Sequence, residues 1–115
     1  METWNIADLD VEPHKPQVLR TDKEARVIAI NLPAGEQLQD HQTHERGYLV
    51  VVSGQVEVSQ GGGDSTAGGP GFVAQFDPNE RREISAAEDS LMVLILGPWP
   101  GEGHSSQRSG GGSPD

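Results

Sequence analysis

The chain has 115 residues, 18 acidic against 8 basic, no cysteine and a formal net charge of −10. That length fits one domain and leaves no room for two. The composition excludes disulfides and thiolate metal sites, and the negative field opposes binding to nucleic acid or anionic membrane.

Residues 1–20 carry scattered apolar side chains (Trp4, Ile6, Leu9, Val11) and two prolines, Pro13 and Pro16. This pattern predicts an arm laid over a domain rather than a long helix. The opening Met1-Glu2-Thr3-Trp4 has no apolar run behind it, so no signal peptide is expected. The apolar runs at 48–52 and 91–96 are too short to cross a bilayer as helices. A cytoplasmic location is the expectation, in keeping with the lack of cysteine.

Arg26-Val-Ile-Ala-Ile-Asn-Leu32 is rich in β-branched residues and closes on Pro33-Ala-Gly35. It reads as a strand and a turn. Tyr48-Leu-Val-Val-Val-Ser53 is a second strand, interrupted by Gly54. In Gln55-Val-Glu-Val-Ser59, Val56 and Val58 share one face and Gln55 and Glu57 the other. The Ser53-Gly54 junction predicts a hairpin or a bulged continuation. Glycine-rich turns follow at 61–64 and 68–71. Phe72-Val-Ala-Gln-Phe76 is a further strand, stopped by Asp77-Pro-Asn79. Residues 82–85 form a short strand with Ile84 inward. Residues 91–96 are the most apolar strand, expected at the centre of a sheet and stopped by Gly97-Pro98.

No stretch shows helical periodicity, and no repeat of 20–50 residues is present. Short strands punctuated by Gly and Pro predict an all-β sandwich or barrel. Residues 101–115 hold five Gly and four Ser, a composition too poor in apolar surface to order, so a disordered tail is expected there. His104 falls in that tail and is not read as a ligand. Trp99, between two prolines, is expected against the barrel exterior or a dimer partner, and Trp4 is similarly placed.

The stretch from Leu32 through Gly35, His41, Thr43, His44, Glu45 and Gly47 to Gly54, continued by Gln55-Val-Glu-Val58, resembles the first motif of the cupin family. Gly71-Phe-Val-Ala-Gln-Phe-Asp-Pro-Asn-Glu-Arg-Arg82 resembles the second. The resemblance spans roughly 26–97 and implies a double-stranded β-helix, or jelly-roll barrel, with the ligand pocket inside. The domain plan is then an arm at 1–20, a barrel at 21–100 and a tail at 101–115.

In metal-binding cupins two His and a Glu of the first motif and a His of the second hold a divalent ion. Here those positions fall on His41, Thr43, Gly47 and Arg82, so one of the four keeps its ligand. In an extended strand, residues two apart share a face and residues three apart do not. His41 and His44 are thus not a metal pair unless a bulge re-aims one of them. Arg82 is a permanent cation and cannot ligate a metal. A lone His41 makes a poor site for an ion that wants three or more ligands. No cofactor is expected. The alternative is a divalent transition metal (Fe, Mn, Ni or Zn) on His41, His44 and Glu45, should residues 42–46 form a loop.

His41, Thr43, Tyr48, Gln75 and Arg82 are expected near one mouth of the barrel, as ligand-binding residues. Arg82 has the fork that matches a carboxylate or phosphate; its other reading is a surface ion pair with Glu80 or Glu83. His41 is a general base or a simple hydrogen-bonded residue, and Tyr48 is a pocket residue or core filler. Two functions follow. One is a non-metal module that binds or senses a small, anionic molecule. The other is a metal-dependent cupin enzyme, a dioxygenase or isomerase of a small metabolite. With no catalytic set identified, the residues favour binding. A purely structural dimer partner is a third reading, and the resemblance implies a homodimer in each case.

Overall fold

The structure, a computed structural model, describes residues 1–41, 45–60 and 63–98, with the side chains of 39–41 outside that description. Among the described residues there are nine strands: β1 Gln17–Thr21, β2 Arg26–Leu32, β3 Gln37–His41, β4 Arg46–Ser53, β5 Val56–Gln60, β6 Ser65–Gly68, β7 Val73–Phe76, β8 Arg82–Ala86 and β9 Ser90–Gly97. A single 3-10 turn, Ile6–Asp8, precedes them. No described helix is long and apolar enough to cross a membrane.

The strands form two antiparallel sheets, one ordered β1-β2-β9-β4-β7 and the other β3-β8-β5-β6. The apolar strand expected at a sheet centre is there: β9 pairs with β2 from Arg26↔Leu96 to Leu32↔Ser90, and with β4 on its other side. Period-2 alternation sets the core. Ile30 and Leu32 of β2, Leu49 and Val51 of β4, and Met92, Leu94 and Leu96 of β9 meet Val56 and Val58 of β5 and Ile84 and Ala86 of β8. Leu49 and Met92 are fully buried. Ile84 faces inward, as its strand position predicted.

The Ser53-Gly54 junction is neither hairpin nor continuation. β4 pairs with β7 and β9, whereas β5 pairs with β6 and β8, so the chain changes sheet at Gly54. Gly54 has φ +95, and a Cβ there would run into Ser90 Oγ and the Asp89 carbonyl. Only glycine turns that corner without strain. Ser90, 2% exposed, ties it down: its hydroxyl donates to the Glu88 carbonyl (2.8 Å), with the Gln55 carbonyl at 3.3 Å as the alternative acceptor, and accepts from the Gln55 N–H (3.1 Å).

β1, of which residues 17–20 were expected in the arm, is the edge strand of the larger sheet, paired with β2. The rest of the arm is fastened where Val11 is buried and its carbonyl accepts from Asn31 Nδ2 at 2.8 Å. The arm also reaches the turn before β3 through a His14 Nε2–Glu36 Oε1 contact of 3.1 Å. The expected tail at 101–115, with His104, and Trp99 lie outside the described residues.

Candidate functional site

Arg82 opens β8, opposite His41 of β3 on one side and Gln60 of β5 on the other. Alternation along β8 buries Arg82, Ile84 and Ala86 and leaves Glu83 exposed on the other face. Arg82 is 3% exposed, and its guanidinium carbon lies 5.0 Å from the centre of the buried Phe76 ring. That stacking is a cation–π contact, which offsets only part of the cost of removing a guanidinium from water.

The surface ion pair expected for Arg82 is not formed. Among the described side chains, which do not include that of Asp40, no carboxylate lies within 4.0 Å of it: Glu83 faces away, and Glu80 Oε1 accepts the Asp77 N–H at 2.8 Å. Burial lowers the Arg82 guanidinium below its ordinary value, and the charge of Glu80 partly opposes this. An arginine so shifted is still a cation near neutral pH.

Beside it lies a cavity of about 170 Å³ lined by Arg82 and by Pro16, Ile28, Ile30, Leu38, Leu49, Ile84 and Leu94. Both sheets contribute, so the cavity is the barrel interior. Pro16, Ile30 and Leu38 also line a surface cleft of about 440 Å³ together with His14, Lys15 and Glu36.

Tyr48 and Gln75 are a correction. The register sets them opposite each other across β4 and β7, but both are exposed on the outer face of the larger sheet, Tyr48 at 41%. Leu49 and Val51 take the inward positions, so Tyr48 faces away from the barrel interior and is not part of the core. Gln75 Nε2 donates to Asp77 Oδ1 at 3.4 Å, on the same rim where Arg46 Nη1 meets Asp77 Oδ1 at 2.6 Å. His41 has its backbone opposite Arg82; Thr43 and His44 lie outside the described residues, and Glu45 is a half-buried bend residue just before β4. Sequence reasoning missed the apolar liners and Phe76. The signal available was Ile84, two residues after Arg82 on one strand and expected to face inward.

No protein-family model matches the chain, and no curated protein matches it. Solved structures do. An RmlC-like cupin protein from Desulfovibrio desulfuricans superposes with a TM-score of 0.77 at 16% identity, over 85% of this chain and 97% of that one. An uncharacterized conserved protein with a double-stranded β-helix domain from Klebsiella pneumoniae gives a TM-score of 0.75 at 21% identity, over 86% and 91%. The chain has the cupin fold.

The same fold links it to DMSP lyase DddQ from Ruegeria pomeroyi, with a TM-score of 0.63 at 14% identity, over 67% of this chain and 40% of that one. The cupin metal set can be tested against the described positions. At Gly47 the position of a side chain is walled by Leu96, Leu94 and Phe76 at 3.5–3.8 Å and offers no donor. Arg82 puts a buried cation where a second-motif histidine would stand. Gly47 and Arg82 therefore supply no ligand to a divalent ion at those two positions.

Proposed function

We propose that this cupin-fold protein is a small-molecule-binding or sensing module that holds an anion inside the barrel on Arg82. One observation carries the reading. A guanidinium 3% exposed, with no carboxylate within ion-pair distance among the described side chains, borders a cavity large enough for a ligand. An uncompensated buried charge is among the most destabilising features a core can hold, and a ligand carboxylate or phosphate supplies the missing partner with matching fork geometry. The fold resemblance to a lyase does not by itself bring catalysis, because function lies in the site rather than the fold.

A thermal-shift screen of small carboxylates and phosphates against wild-type protein and Arg82→Met tests the reading. Stabilisation of the wild type that vanishes in the variant supports it. Stabilisation equal in both places the ligand elsewhere. Metal analysis of the purified protein tests the competing enzyme reading: near-stoichiometric iron, manganese, nickel or zinc that is lost in His41→Ala would replace the module by a metalloenzyme.

A further inference from the structure

The cavity beside Arg82 has a sharply divided chemistry. One end is a single cation, and the remaining walls are the hydrocarbon of Pro16, Ile28, Ile30, Leu38, Leu49 and Leu94, with Ile84 next to Arg82 on its strand. We infer that the ligand class is an aliphatic monocarboxylate of about four to seven carbons, its carboxylate on the Arg82 fork and its chain among the core aliphatics. This rests on the reading of Arg82 as the anion anchor and adds the identity of what it holds.

Three features select the class. The first is charge: one guanidinium compensates one negative charge, and the described walls offer no second cation to a phosphate dianion. The second is polarity. A hydroxyl on the ligand body would lose its water and meet only hydrocarbon, so sugar acids and hydroxy acids are disfavoured. The third is size. An apolar cavity of about 150 Å³ holds a molecule such as benzene, so about 170 Å³ suits a chain of similar bulk. The wall also predicts how the length preference changes. Leu49 is fully buried and lines the cavity, so shortening it lengthens the chain that fits.

The test is calorimetric titration of the full chain with butyrate, isovalerate, hexanoate, 6-hydroxyhexanoate, decanoate, 1-hexanol and inorganic phosphate. Hexanoate or isovalerate is expected to bind tightest, with 6-hydroxyhexanoate at least about tenfold weaker. Phosphate and 1-hexanol are expected to give no measurable heat. Arg82→Met, with its fold checked by circular dichroism, is expected to weaken hexanoate at least about a hundredfold, and Glu83→Gln, on the outer face, to leave it unchanged. Leu49→Ala is expected to move the optimum toward longer acids. Should phosphate or 6-hydroxyhexanoate bind as well as hexanoate, and still depend on Arg82, the restriction to purely aliphatic monocarboxylates is wrong while the anion module stands. Should none of these anions bind, or should hexanoate bind Arg82→Met as well as wild type, the module reading fails with it.

Discussion

Arg82 and Gly54 show what one residue decides in this barrel. Arg82 is buried without a carboxylate partner among the described side chains, so removing its charge while keeping its length relieves the unliganded protein. Arg82→Met is expected to raise the melting temperature without ligand, by roughly 1–3 kcal/mol of stability, and to abolish ligand stabilisation. The sign follows from burial. The native guanidinium value is lowered, so the charged form costs stability at every pH below it, and the cost is released only in strong alkali. Ligand affinity should therefore be flat from about pH 6 to 9 and fall below about pH 5, where the ligand carboxylate itself protonates. At Gly54 an added Cβ meets the strain of a positive φ and the Asp89 backbone together. Gly54→Ala is expected to cost on the order of 3 kcal/mol in chemical denaturation.

Among the elements, those buried on a periodic pattern were legible and the edge strands β1 and β6 were not. β2, β5 and β9 announce themselves as β-branched or alternating runs because their inward positions fill the core. β1 and β6 carry burial patterns with a single non-exposed residue each, and a strand that buries nothing periodic leaves no period to read. The phase of β4 was also hidden. Tyr48, Val50 and Val52 are as apolar as Leu49 and Val51, so composition could not say which set faces inward, and Tyr48 was placed on the wrong side. The turn between β1 and β2 gives an element-scale test. Asp22 Oδ1 accepts the N–H groups of Ala25 (3.0 Å) and Glu24 (2.9 Å), and these bonds, that of Ala25 first, hold its carboxyl below the usual carboxylate range. This stabilisation is present above about pH 4 and is lost as pH falls through the lowered native value. Asp22→Ala is expected to speed hydrogen exchange of β1 amides at neutral pH and to leave β9 amides protected.

The whole molecule sets a charge balance against its own site. With a net charge of −10, the surface field repels an approaching anion, while the buried cation attracts it only at short range. Hexanoate association is thus expected to accelerate as salt rises from about 10 to 150 mM, the range over which screening shortens from about 30 to 8 Å. A rate that falls with salt would show that a surface cation, not Arg82, captures the ligand. The barrel itself was readable because spaced glycines, alternating valines and the apolar β9 all point to two facing sheets. The burial of Arg82 was not, because the sequence fits a solvated ion pair with Glu80 or Glu83 equally well. The most direct measurement is therefore the NMR signal of the Arg82 side-chain Nε–H, followed while hexanoate is added to the wild-type protein. A saturable downfield shift that ends at one equivalent bound, and that is missing from the spectrum of Arg82→Met, is the expected result. Saturable binding with that signal unmoved would contradict an anion held on Arg82 inside the barrel.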